Sequence, residues 1–276
     1  MPPIRIGLIG LSSSAKTSWA SAAHLPYLLS SRGLERYKIV ALCNSTIESA
    51  NGAIVTFGLP SSTRAYGSPV DLAGDAEVDL VVCCTRVDVH HGTIRPALAA
   101  GKTVYCEWPL AQDLTHVLDL SQLARDNNVR TMVGLQGRVA PAVQKLKELV
   151  NGGRIGKIIN VEVRATGGLN HREELPSSLN YFMQRAVGGN VFTIGFGHLW
   201  DHIQHVHGDV LNIQSRLQLQ FPTNKIRNPS TRAIVESVTS NVPDTVMVTG
   251  RLAESPAVQR GRNPAHPLPP RPAIIQ

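Results

Sequence analysis

The chain has 276 residues, 42% of them hydrophobic and 17% charged, with a formal net charge of +7. That composition excludes a disordered or fibrous chain, and the length exceeds the usual span of one compact domain, so two domains are expected. Lys and Arg are scattered without a basic run, and no apolar run approaches the ~20 residues of a membrane helix, so direct nucleic-acid binding and a membrane span are both set aside.

In chain order, residues 4–10 form a short apolar run closed by glycine, and 15–30 follow with helical character. Strand signals recur at 37–43, 78–85, 103–106 and 130–135, separated by helix-compatible stretches at 47–57, 91–100 and 113–127. This alternation predicts a parallel sheet with helices on both faces, an α/β doubly wound Rossmann domain over residues 1–151 that ends with a helix at 141–150. Beyond Gly152 the pattern becomes one of alternating strands, at 158–164, 214–221 and 245–249, with a helix at 198–206. It predicts an α+β domain over 152–259 with a largely antiparallel sheet. Residues 260–276 hold five prolines and no periodicity and are expected to be an unstructured tail.

The turn after the first strand reads Gly10-Leu11-Ser12-Ser13-Ser14-Ala15, a variant of G-x-G-x-x-G/A with serine at the second glycine. Gly10 permits a tight turn, backbone N–H groups and the following helix N-terminus face a pyrophosphate, and small Ala15 allows close packing. Gly10, Ser12, Ser13 and Ala15 are therefore expected to hold a dinucleotide. At the end of the second strand, Asn44-Ser45-Thr46 offers no carboxylate for ribose hydroxyls. Asn44 and Ser45 would not repel a 2′-phosphate, which leans the expectation from NAD toward NADP, and a solvated loop explains them equally well.

The four cysteines, Cys43, Cys83, Cys84 and Cys106, form no C-x-x-C pair and read as buried free thiols of a reducing compartment. His198 and His202 stand at i, i+4, but the glutamate of H-E-x-x-H is absent, and no metal site is expected there. His198 is expected to face a pocket, with the remaining histidines of that helix on a solvated face.

These residues resemble the glucose-fructose oxidoreductase and inositol dehydrogenase family. The resemblance runs from Ile4 to about Gly250. It rests on Ala22-Ala23-His24-Leu25-Pro26, Thr85 with His90, the run from Ala99 to Glu107-Trp108-Pro109, and Gln136-Gly137-Arg138. It implies cofactor contacts from Thr85, His90, Glu107 and Trp108. The family carries Glu-Lys-Pro where this chain has Glu107-Trp108-Pro109, and an aspartate where it has Ile194, so two of three usual catalytic groups are absent and His198 remains. Phe196-Gly197-His198 and Val242-Pro243-Asp244 look like the branch that holds the fungal galactose-pathway repressor. Relative to the family, further strands are expected after Leu252, and the second domain is expected to be incomplete, with an unpaired sheet edge.

Two readings follow. In the first, the chain is a fungal oxidoreductase acting on a small-molecule substrate, with His198 transferring the proton and Tyr181, His171 or Arg172 touching the substrate. In the second, it is a regulator that senses the dinucleotide and binds a transcription activator. The enzyme would be cytoplasmic, the regulator nuclear, and the second-domain sheet could support a homodimer.

Overall fold

The computed structural model describes residues 2–12, 19–166 and 173–253 and the backbone of 274–275. Ser13, Ala15, His171 and Arg172 lie outside the described residues, as does all of the Pro-rich ending except that last pair. Two compact units are present, Met1–Gly134 with Ala186–Gly189, and Leu135–Arg185 with Asn190–Gln276.

The first unit is built on strands β1 (Ile4–Ile9), β2 (Tyr37–Cys43), β3 (Arg64–Tyr66), β4 (Leu80–Cys83), β5 (Thr103–Glu107) and β6 (Thr131–Gly134). All are parallel, in the order β3-β2-β1-β4-β5-β6. Successive side chains alternate between faces, and both faces are covered, which explains why the strands read as continuous apolar runs. One face packs Val81, Cys83, Val104 and Cys106 under Leu72 and Ala73 of α4 (Pro69–Gly74), Ile94 and Leu98 of α5 (Val87–Ala99), and Leu120 of α6 (Leu114–Asp126). The other packs Ile6, Leu8 and Val82 against Leu25 and Leu28 of the helix Leu25–Leu28 (α1), and Ala50, Ala53 and Ile54 of α3 (Ile47–Thr56). The short helix Ser31–Leu34 is α2.

Side-chain caps start these helices. The Thr46 hydroxyl accepts from the Ser49 N–H at 3.1 Å and Asp113 accepts from the His116 N–H at 3.0 Å, each contributing about 1 kcal/mol. The strand order reverses between β1 and β4, the position at which doubly wound sheets open a crevice beyond their carboxyl ends. No described helix is long and apolar enough to cross a membrane.

The second unit starts at Leu135 and includes α7 (Pro141–Asn151), which the sequence pattern assigns to the first domain. It groups here because Val143 and Val150 pack with Ile203 and Val206 of α8 (Gly197–His207) and with Val210 and Leu252. Its strands are β7 (Asn160–Val161), β8 (Glu174–Pro176), β9 (Val210–Gln218), β10 (Thr223–Arg227), β11 (Ile234–Thr239), β12 (Thr245–Leu252) and β13 (Ile274–Ile275). They form sheets in the orders β11-β10-β8 and β7-β13-β12-β9, with antiparallel β9–β12, β10–β11 and β12–β13 pairs. Thus the last described pair, within the expected tail, adds a two-residue strand between β7 and β12. The strand expected at 214–221 ends at Gln218 because the Asp244 carboxylate accepts the N–H groups of Gln220 and Phe221 and turns the chain.

Candidate functional site

At the carboxyl end of β1, Gly10 has φ +96°, and a Cβ there would lie 2.9 Å from the Cys84 carbonyl oxygen and 3.0 Å from the Thr85 methyl. Only a residue without a side chain fits this approach of β1 to β4. Leu11 is fully buried beneath the turn. Asn44 Nδ2 donates to the Leu11 carbonyl at 2.7 Å and to the Ser49 carbonyl at 3.2 Å, which ties the end of β2 to the turn. Ser45 beside it is exposed. A tight glycine turn at the switch point, backed by a neutral amide, is a cradle that fits a dinucleotide phosphate.

His90 departs from the expected role. It is 1% exposed, its Nδ1 lies 2.9 Å from the Pro109 carbonyl and its Nε2 lies 2.9 Å from the Thr85 carbonyl. With both ring nitrogens committed to backbone, His90 holds the loops after β4 and β5 together and has no atom left for a cofactor. Thr85 supplies one of those carbonyls, and its hydroxyl lies 3.3 Å from Cys83 Sγ.

Glu107 ends β5. Its Oε1 accepts from His24 Nε2 at 2.5 Å and from the Tyr105 hydroxyl at 3.1 Å. Tyr105 and Glu107 are two apart on one strand and share a face, so the phenol sits over the carboxylate. Burial, then the Glu107 charge, push the Tyr105 phenol well above its ordinary range. A Cβ at Gly134 on neighbouring β6 would lie 2.6 Å from the Tyr105 hydroxyl and 2.7 Å from Glu107 Oε2, so that glycine makes room for the pair. Half-buried Trp108 follows, with a cis peptide bond to Pro109. His24 and Tyr105 carry no local signal in the sequence, because only the fold brings His24 to Glu107.

In the second unit, buried Asn190 starts the helical segment Val191–Phe196. Its Oδ1 accepts the N–H groups of Phe192 and Thr193 at 3.0 Å each, while Thr193 Oγ1 accepts the Asn190 N–H at 3.1 Å. This reciprocal cap orients the helix that continues into α8 and carries half-buried Ile194 and His198. Tyr181 lies in the helical turns Ser177–Met183, edge-on to Phe182 at 5.0 Å.

The other histidines of α8 are packed rather than solvated, which corrects the sequence expectation. His202 Nε2 points at Gly137, where a Cβ would come within 1.8 Å, and His205 lies 3.1 Å from Gln144 and 3.3 Å from Lys147 Nζ. Burial and Lys147 lower the His205 pKa, and burial alone lowers that of His207. Gln136-Gly137-Arg138 therefore acts as a docking turn for α8. Gly137 permits the approach, and the Arg138 guanidinium forms a two-pronged ion pair with buried Asp201. Because the Arg138 side chain is partly exposed, Asp201→Ala is expected to cost about 1–2 kcal/mol rather than the full buried-pair penalty. Urea unfolding of the two forms measures it, and an unchanged midpoint would refute the docking role.

Comparison with known proteins follows the same division. Residues 4–135 match the family described as "Oxidoreductase family, NAD-binding Rossmann fold", and residues 141–266 match "Gal80p, C-terminal domain". Dehydrogenase aclE of Aspergillus oryzae is 34% identical over 219 residues, covering 79% of this chain and 59% of its own length. The galactose/lactose metabolism regulatory protein GAL80 of Saccharomyces cerevisiae is 27% identical over 257 residues, covering 91% of this chain and 58% of its own. The chain thus spans less than two thirds of either relative. A crystal structure of a super-repressor mutant of Gal80p from Saccharomyces cerevisiae has the same fold, with a TM-score of 0.83 at 25% identity, covering 99% of this chain and 68% of that one.

Proposed function

Since the chain belongs to the oxidoreductase family with an NAD-binding Rossmann fold, continued by a Gal80p-type C-terminal domain, we propose that it is an NAD(P)-dependent dehydrogenase acting on a hydroxyl or carbonyl carbon of a small molecule. The observation that carries this reading is the 34% identity to a dehydrogenase across 79% of the chain. When bound, the dinucleotide supplies hydride exchange at the substrate carbon. The chain's own part is to cradle the pyrophosphate at the Gly10 turn with Ser12, Ser13 and Ala15, and to accept a 2′-phosphate beside Asn44 and Ser45. The segment Asn44-Ser45-Thr46 itself carries no carboxylate to repel it, which favours NADP.

Glu107 and Trp108 shape the cofactor pocket, with Thr85 in the loop after β4. His198 moves the proton, and Tyr181, His171 and Arg172 orient the substrate. The enzyme works in the cytoplasm. Ile213 is 52% and Leu217 39% exposed on β9, a surface suited to homodimer contact. Replacing His198 with Asn is expected to lower kcat by about 10²–10⁴-fold while dinucleotide affinity stays unchanged. Unchanged turnover would remove His198 from the reaction.

The match of residues 141–266 to the Gal80p C-terminal domain supports a second reading, a nuclear regulator that senses the dinucleotide and holds a transcription activator. Here Trp108 replaces a lysine that is no longer needed. Fluorescence anisotropy of an activation-domain peptide, with and without dinucleotide, separates the two. Dinucleotide-dependent capture of the peptide supports the regulator, and no capture supports the enzyme.

A further inference from the structure

Cys83 and Cys84 are consecutive and therefore face opposite sides of the sheet. Each side gathers a set of metal-ligand atoms within 4.8 Å of one another, Cys83 with His90 and Cys106 on one face, and Cys84 with His24 and Glu107 on the other. Physical access and the partners that hold each imidazole decide between them. The first set is sealed, at 0%, 1% and 1% exposure, and both nitrogens of His90 are bound to carbonyls. The second is reachable, since the His24 and Glu107 side chains are 21% and 12% exposed.

We propose that His24 Nε2, Cys84 Sγ and a Glu107 carboxylate oxygen form a binding site for a divalent transition metal of the zinc class. The three donors come from three separate elements, the helical segment Ala20–His24, the residue after β4 and the end of β5. The pairing of Cys83 with Cys106 across β4 and β5 carries the next residues, Cys84 and Glu107, side by side. Imidazole, thiolate and carboxylate form a donor set that zinc takes at about 2.0–2.3 Å, leaving a fourth position for an oxygen ligand.

For both to ligate, the His24–Glu107 contact opens by roughly 1 Å from its present 2.5 Å, and Gly134 leaves the carboxylate room to move. The Tyr105 hydroxyl, donating to Glu107, is the outer hydrogen bond that steadies the carboxylate ligand. Charge balances as well: a thiolate and a carboxylate neutralise a divalent ion in a partly dry site. Burial and Glu107 hold the Cys84 thiol protonated, so the entering ion takes the place of the thiol proton, which passes to the buffer, and the His24 ring proton shifts from Nε2 to Nδ1 so that Nε2 offers its lone pair.

The test uses the full chain, stripped with a chelator and titrated with Co²⁺ or Zn²⁺ alone. The expected result is one ion per chain, a thiolate-to-cobalt charge-transfer band, and affinity that rises with pH as the thiol proton is released. Cys84→Ser should abolish the band, and His24→Gln should weaken affinity at least about tenfold, with circular dichroism confirming that both remain folded. Cys83→Ser should leave the band in place. The proposal is overturned if no band forms at one equivalent, or if the band survives Cys84→Ser and disappears in Cys83→Ser. The readout is the metal alone, so this outcome is independent of the dehydrogenase reading.

Discussion

Putting back the two charged groups that family enzymes carry, Trp108→Lys with Ile194→Asp, is expected to lower the native turnover of this chain at least about tenfold. Both positions are half-buried and are now filled by an indole and a sec-butyl group. Introducing a lysine and an aspartate there costs about 1–3 kcal/mol each unless the charges find partners, and the shifts by which they find them displace the reacting groups, where a loss of about 1.4 kcal/mol of transition-state stabilisation is a factor of ten in rate. An indole donates one hydrogen bond but does not exchange a proton near neutral pH, so Trp108 cannot stand in for the lysine directly. In the proposed dehydrogenase the proton leaves through another group, for which His198 is the candidate. Initial rates for both forms on one substrate panel check the prediction. A rise in turnover in the double variant would mean that the chain is a degraded enzyme awaiting its lost groups.

Gly10→Val is expected to abolish dinucleotide binding, with affinity falling at least about a hundredfold. The φ of +96° costs a β-branched residue about 1–3 kcal/mol, and its Cβ would press on the Cys84 carbonyl at 2.9 Å, so β1 and β4 must separate where the phosphate is cradled. Gly58→Ala is the matched control. Gly58 also has positive φ, +62°, but a Cβ there meets nothing within 4 Å. It should lose about 1 kcal/mol of stability through strain while binding the dinucleotide normally. Calorimetric titration with NAD⁺ and NADP⁺ compares the three forms, and equal affinity in Gly10→Val would refute the cradle.

Much of the first unit was legible because a parallel sheet buried on both faces writes itself as apolar runs separated by amphipathic helices. β3 and α4 were missed because each is short, with three and six residues, and Arg64 and Tyr66 hide the strand signal by pairing with Asp75. β10 was missed for a related reason. Its inward positions are Asn224 and Ile226, 3% and 0% exposed, and a buried asparagine breaks the apolar alternation that marks a strand.

The site divides in the same way. Gly10 and Asn44 are readable because local backbone chemistry demands them at a strand end. His24, Cys84, Tyr105 and Glu107 meet only after β1, β4 and β5 are laid side by side, and their spacing along the chain carries no sign of it. The histidines of α8 misled for the opposite reason. Helical spacing placed them on a solvated face, whereas Gly137, Gln144 and Lys147 pack against them.

The central claim is that the dinucleotide is a reactant for this chain and not merely a ligand. Reduced-nicotinamide absorbance during incubation with NAD⁺ or NADP⁺ and a panel of sugars and cyclic alcohols tests it most directly. The account predicts that one class of alcohol reduces the cofactor, with a carbonyl product formed in equal amount, and that Gly10→Val shows no such reaction. Tight dinucleotide binding with no reduction by any member of the panel would contradict it.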